Sequence, residues 1–238
     1  MNIPLIIPNF NLLSYTKNLI NWWHFYYPDN KVIIIDNGST YRPLLDFYSE
    51  IHEEGRYKNV NLVYNMHNNF RDNLKLYLEN SGHEYYVISD PDIMPHPSTP
   101  YNFLEIYKNL IDNHQFHHVG FQLIIDDLPS WANKKDWIIF NEGQLRNHSI
   151  EIAGYKGHKA PIDTTFALYK ASNGGWQSPM PGTNWDNCVR MFSAYHLPWY
   201  LDGEHLTPEM SNYFNTANRH KTGEPSAGSN NHRPKGYE

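Results

Sequence analysis

At 238 residues and 40% hydrophobic content the chain can bury the core of one large domain, and its single cysteine, Cys188, excludes an intramolecular disulfide framework. A formal net charge of −6 without a basic stripe argues against nucleic acid as a partner. No apolar run approaches the about 18 residues of a membrane span, and the opening MNIPLIIPNFNLL lacks a basic region and a cleavage site, so the expected location is the cytoplasm.

In chain order, the apolar Ile3–Ile7 reads as a buried strand closed by Pro8 and Asn9. Leu12, Leu13, Leu19, Ile20, Trp22 and Trp23 then recur at helical spacing, with Ser14 the expected N-cap and Pro28 to Asn30 the stop; the two tryptophans are expected in the core. Val32–Ile35 predicts a second strand, which runs into turn chemistry at Asp36 to Thr40. A helix is expected over Pro43 to Glu54, a strand over Val60–Tyr64 and a helix over Phe70–Glu79. Tyr85–Ser89 is the next strand, leading into Asp90-Pro91-Asp92. Strand and helix alternating at this spacing, with strands apolar on both faces, predict an α/β fold with a mostly parallel central sheet. Ligands of such sheets bind beyond the carboxyl ends of the strands, where the loops at Pro8-Asn9, Asp36 and Asp90 to Asp92 converge.

The second half is less regular. A helix at Tyr101–Asn113 and a strand at Val119–Ile125 continue the pattern, 131–157 is mixed and polar, and later strands are expected at Thr164–Tyr169 and Tyr195–Leu201. From Asn215 the chain is almost devoid of apolar residues, which predicts a tail that is disordered or ordered by a ligand. The expected organisation is one domain over 1–214, with halves 1–97 and 98–214, followed by the tail 215–238.

Two carboxylates as close as Asp90 and Asp92 repel unless a cation lies between them. Pro91 disfavours the helical region for Asp90, and side chains two apart in an extended segment point the same way, so both carboxylates are expected to face one ion. Oxygen ligands of this kind suit Mg²⁺ or Mn²⁺, held by one or two carboxylates together with substrate phosphates. The competing reading of the same residues is a surface turn.

A strand ending in IIIDNGST and a later strand ending in VISDPDIMP resemble a GT-A-type, GT2-like glycosyltransferase with its D-x-D motif, over about Ile3 to Pro97. The resemblance implies a Rossmann-like α/β/α sandwich, a nucleotide-sugar donor linked to UDP or GDP, a glycan or other hydroxyl acceptor, and Mn²⁺ or Mg²⁺. By position it implies that Pro8, Asn9 and Asp36 line the nucleoside pocket, that Arg71 lies near the ribose or diphosphate, and that Asp90 and Asp92 form the acidic pair, Asp90 also facing the donor. It also implies a histidine from the C-terminal part in the metal sphere, for which His196 in RMFSAYHLPWYLD is the candidate. Arg190 on the same strand would meet the phosphates. The 131–157 segment would recognise the acceptor.

An inverting enzyme also needs a carboxylate to deprotonate the acceptor hydroxyl. Asp163, opening an apolar strand in APIDTTFALYK, is the first choice, ahead of Asp186, with Asp126, Asp127 and Glu204 also available. The histidines 114, 117 and 118 gather at a predicted helix end, where positive charge suits the dipole. Without further cysteines or an HExxH pattern they do not predict zinc. The competing functions are a nucleotidyltransferase that forms sugar nucleotides, whose glycine-rich basic loop is not matched by Pro8 to Asn11, and a non-catalytic glycan-binding module on the same fold.

Overall fold

The structure, a computed structural model, describes residues 2–53, 57, 59–64, 70–162, 165–173 and 187–217, without the side chains of residues 52, 53 and 71. Its elements are β1 (Leu5–Asn9), α1 (Leu13–Tyr26), β2 (Val32–Asp36), α2 (Arg42–Glu53), β3 (Val60–Tyr64), α3 (Phe70–Ser81), β4 (Tyr85–Ile88), β5 (Ile93–Pro95), α4 (Phe103–His114), β6 (His118–Leu123), α5 (Lys135–Gln144), β7 (Ser149–Ile152), β8 (Tyr155–Lys159), β9 (Ala167–Lys170), β10 (Cys188–His196) and α6 (Pro208–Thr216). All the strands join one sheet in the order β3-β2-β1-β4-β9-β6-β10-β8-β7, with β5 paired to β10 off this path.

The first four neighbours, β3-β2-β1-β4, are parallel and pair without interruption, Leu5 facing Val32 on one side and Val87 on the other. Their period-2 alternation serves two cores. Leu5, Ile7, Val32, Ile34 and Val87 point into the larger cluster with α1, α2 and α4, whereas Ile6, Ile33, Ile35, Tyr86 and Ile88 point toward Leu74 of α3. Central strands covered on both sides must be apolar throughout, and β2 and β4 are buried at every position. Beyond β4 the sheet turns mixed: β9 runs antiparallel between β4 and β6, β10 is parallel to β6, and β8 and β7 close the edge antiparallel. Gly120 lies where β6 and β9 approach, since a Cβ there would stand 2.9 Å from both the Ala167 Cβ and the Phe166 carbonyl oxygen.

Several expectations change. The strand expected at Tyr195–Leu201 is the end of β10, which stops at His196 before a 3-10 turn over Leu197–Tyr200. Seven residues earlier than expected, Cys188 opens it, because buried Arg190 and a register shift between Arg190 and Ser193 hide the strand's alternation. Ser14 lies inside α1, which begins after Leu12 and has no side-chain cap of its own. The irregular 131–157 segment contains α5, β7 and β8. Asn215 and Thr216 complete α6, where a tail was expected, and residues 218–238 lie outside the described ones. His117 and His118 are not a cationic helix end: burial first, and for His118 also the neighbouring His117, lower both, His118 to about 3. Trp23 is fully buried as expected.

Candidate active site at the carboxyl edge of the parallel strands

Asn9 ends β1 and Asp36 ends β2, and the two are register partners. Both are almost fully buried and joined through Tyr48 of α2: the Asn9 side-chain amide donates to the Tyr48 hydroxyl at 2.8 Å, which donates to Asp36 Oδ2 at 3.0 Å. Asp36 Oδ1 accepts from the backbone N–H groups of Gly38 (3.0 Å) and Ser39 (2.9 Å). Gly38 takes φ of 82°, a conformation that favours glycine, so the carboxylate can wrap the loop tightly. Burial, then the Asp36 charge, hold the Tyr48 phenol protonated far above its ordinary range. Beside them Asn11, itself at φ 55°, accepts from the N–H groups of Thr40 and Tyr41 and donates to Thr216 of α6 at 2.8 Å. Pro8 is half-buried in β1. Arg71 lies in the first turn of α3, with its side chain outside the described ones.

The Asp90-Pro91-Asp92 segment is a turn, the competing reading, and not the extended segment expected after the strand. The Ile93 N–H reaches back to the Asp90 carbonyl at 3.3 Å, with Pro91 at the second position, where its fixed φ suits a β-turn. This turn connects β4 to β5, and β5 pairs antiparallel with the end of β10, His196 opposite Ile93. The Leu197 N–H donates to the Asp92 carbonyl at 2.9 Å. That pairing carries a residue 104 positions downstream to the acidic turn: His196 Nε2 stands 3.7 Å from Asp92 Oδ2, both side chains nearly buried. Burial pushes the His196 imidazole down to about 3, so the contact is between a neutral ring and a carboxylate and not an ion pair. Trp199 packs on that ring, centroids 4.7 Å apart.

A separation of 3.7 Å exceeds N–H···O hydrogen-bond range. Both atoms can touch one small divalent ion at the about 2.1 Å usual for such ions. A neutral imidazole and a carboxylate are a chemically sound partial ligand set for Mn²⁺ or Mg²⁺, completed in such sites by substrate phosphates and water. Among the described residues no group of three or more His, Cys, Asp or Glu side chains is gathered closely enough to hold an ion, so Asp90 does not join the other two in that sense.

Two residues that sequence reasoning missed complete the surroundings. The Tyr15 phenol of α1 is held above its ordinary range by burial, then by the charges of Asp92 and Glu209. Glu209 of α6 accepts from the backbone N–H of Ser14 at 2.9 Å and from its hydroxyl at 2.6 Å, supplying from a distant helix the cap that α1 lacks. The sequence Thr207-Pro208-Glu209 carried a signal for α6: Thr207 caps it by accepting from the Met210 N–H, and Pro208 takes the first helical position. Nothing local announced that Glu209 faces α1.

Of the carboxylates weighed as a base, Asp126 pairs with Arg146 at 2.9 Å and Asp127 accepts from the Tyr200 hydroxyl at 2.6 Å. Asp163 and Asp186 lie outside the described residues. Arg190 is committed to Glu142 at 2.9 Å and to the Pro161 carbonyl at 2.8 Å, and lines a separate cavity.

No protein-family model and no curated protein matches the chain. Solved structures do. The mannosyltransferase PcManGT from Pyrobaculum calidifontis, in complex with GDP-Man and Mn²⁺, aligns over 94% of this chain and 66% of its own at 15% identity and a TM-score of 0.51. TarS of S. aureus with UDP-GlcNAc aligns over 86% and 63% at 12% identity and a TM-score of 0.44. Glucosyl-3-phosphoglycerate synthase of Mycobacterium tuberculosis with Mn²⁺ and UDP-glucose aligns over 72% and 56% at 12% identity and a TM-score of 0.37. The chain thus spans somewhat under two thirds of the length of these proteins. No helix among the described residues is long and apolar enough to cross a membrane. With its sheet order, the two-sided core of its parallel strands and the alignment to PcManGT, the chain has the fold of the GT-A-type glycosyltransferases.

Proposed function

We propose that the chain is a metal-dependent glycosyltransferase, acting in the cytoplasm, that moves a sugar from a UDP- or GDP-linked donor to a hydroxyl of a glycan or other acceptor with inversion. The observation that carries this reading is the Asp92–His196 pair, assembled by the β5–β10 pairing beyond the carboxyl ends of β1 and β4. PcManGT, which shares the fold, was solved with GDP-Man and Mn²⁺, which supports a nucleotide-sugar and a divalent ion here.

Asp92 and His196 would hold Mn²⁺ or Mg²⁺, with Asp90 facing the donor from the same turn. The chemistry such an ion would supply there is neutralisation of the charge on a departing diphosphate. Burial keeps the His196 ring neutral near neutral pH. Asn9 and Asp36, with Pro8 beside them, line the nucleoside side. Asp36 has its Oδ1 committed to its own loop, so Oδ2 is the oxygen left to accept a further donor beside Tyr48. Arg71 faces the ribose or diphosphate, and Asp163 takes the proton of the acceptor hydroxyl as it attacks the anomeric carbon.

Thermal denaturation tests this. A ligand at about 100 times its Kd stabilises by about 2.7 kcal/mol, about 5–10 °C for a domain of this size. GDP or UDP should raise the Tm by that amount only when Mn²⁺ is present, and Asp92→Asn and His196→Ala should each abolish the rise. A full response in the Asp92→Asn protein would overturn the assignment of the site.

A further inference from the structure

Asn9, Asp36 and Tyr64 end the neighbouring parallel strands β1, β2 and β3, and Asp36 is the register partner of both others. They also share a face. Ile7, Ile34 and Leu62, two residues before each, belong to the larger core cluster or pack against it. A period of two therefore carries all three terminal side chains toward α1 and α2. On that side the Tyr48 hydroxyl of α2 donates to Asp36. The Tyr48 and Tyr64 rings meet nearly at right angles, with centroids 6.3 Å apart and planes at 82°.

Two properties set Tyr64 apart. It is 54% exposed, and of the exposed aromatic residues among the described ones it alone ends a parallel strand. That is the edge at which ligands of such sheets bind. The contact with Tyr48 holds the ring in place before any ligand arrives, which lowers the ordering cost of binding. The second property is the acceptor beside it. Asp36 Oδ1 is committed to the N–H groups of Gly38 and Ser39, whereas Oδ2 accepts from Tyr48 and has room for one more donor. Asp36 is nearly buried, so a ligand reaches it by an edge and not by a face. Neighbouring strands lie about 4.8 Å apart, comparable with the width of one heterocyclic ring, so a ring lying on Tyr64 brings its edge to Asp36. Burial, then the Asp36 charge, raise the Tyr64 phenol above its ordinary range, so the platform itself is neutral.

We propose that Tyr64 is the residue on which the nucleobase of the donor stacks, with the base edge turned to Asp36. That the planar ligand is a nucleotide rests on the sugar-transfer reading; the platform and its neighbouring acceptor rest on the ends of β1 to β3 alone. The two side chains divide the work. Stacking on an aromatic face supplies affinity for any base, since every base has a π face. The carboxylate only accepts, so it favours a base whose edge carries a ring N–H, as N3 of uracil and N1 of guanine do.

Calorimetric titration of the full chain with GDP, UDP and inorganic pyrophosphate, each with Mn²⁺, tests this. Tyr64→Ala should weaken GDP and UDP about tenfold, the scale of one base stacked on an aromatic ring, and leave pyrophosphate, which has no base, unchanged. Tyr64→Phe, which keeps the ring, should bind both nucleotides as the wild-type protein does. Tyr64→Leu keeps apolar volume without a π face and should lose about as much as the alanine protein, which separates stacking from any effect of the smaller residue on the fold. Undiminished nucleotide binding in the alanine and leucine proteins, an equal loss for pyrophosphate, an equal loss in Tyr64→Phe, or no binding of either nucleotide by the wild-type protein would each overturn the proposal. If nucleotide binding depends on Tyr64 but is unchanged without Mn²⁺ and in Asp92→Asn, the metal site falls and the stacking residue stands. Mn²⁺-dependent binding through Asp92 that ignores Tyr64 removes the stacking residue alone.

Discussion

The sheet is built by two different rules on its two sides. From β3 to β4 the strands are parallel and continuous in register, and β1, β2 and β4 are apolar on both faces, so that the adjacent Ile33 and Ile34 feed opposite cores. From β9 to β7 the strands are mixed in direction. β10 carries a register shift and buries Arg190, and β7 alternates between exposed and half-buried positions. The first arrangement makes a rigid platform whose loops all emerge at one edge. The second spends regularity on side chains that face a cavity. A constant scaffold beside a variable surface is how one fold comes to serve many ligands.

The contrast can be broken or sharpened experimentally. The largest effect is expected in the parallel half: Ile34→Ala, at a fully buried position, should cost about 4 kcal/mol in urea unfolding. A loss under about 1 kcal/mol there would mean that the platform is not the rigid side.

Acid should act on the other half. His118 and His196, in β6 and β10, are held near 3 when folded, chiefly by burial, against 6.5 for an ordinary histidine. A lowered histidine means that the unfolded chain binds more protons, so this stability is complete above about pH 6.5 and is lost as pH falls toward 3. Between pH 6 and 5 the pair should cost about 2 kcal/mol, read as a drop in urea midpoint that His118→Gln makes shallower. A flat profile over that interval would show that the two rings are not buried neutral.

Glu209→Ala should cost about 2 kcal/mol, because it removes a carboxylate that accepts from the α1 N-terminus and leaves the Ser14 N–H unmet. Glu209→Gln, which keeps an acceptor, should cost about half as much. Equal losses in both would assign the effect to packing. The smallest change belongs to the half-exposed strand at the far edge: Ile150→Ala in β7 should cost about 1 kcal/mol or less.

Legibility in the sequence followed the same division. β2 and β3 were readable almost to the residue: β2 because a short run of Val and Ile before a turn signal has few other uses, β3 because Val60, Leu62 and Val63 form a short β-prone stretch at the spacing the preceding units set. β10 was not, since Cys188-Val189-Arg190-Met191 offers no clean alternation and the shift after Arg190 breaks the period. β5, three residues ending in Pro95, is too short to signal itself, yet its pairing is what brings His196 to Asp92. Asp92 and His196 were therefore recognisable as candidates while the contact between them was not. Tyr15 and Glu209 gave no local sign of their neighbourhood, because long-range contacts leave no period. Gln122 looked like an ordinary polar residue in a strand, and only three dimensions reveal that its amide is buried without a partner among the described residues.

The cap that Glu209 places on α1 joins residues 195 positions apart. On the ribosome, at about 5–20 residues per second, the first helix would wait roughly ten seconds or more for the glutamate that finishes its N-terminus. Until then the opening β1–α1 segment lacks the stop that Leu12, Met210 and Phe214 later seal together. The early half of the nascent chain is thus a framework whose lock arrives with its last described helix. A chain cut short before residue 208 should remain open to proteases along α1 even with every strand of the sheet already made.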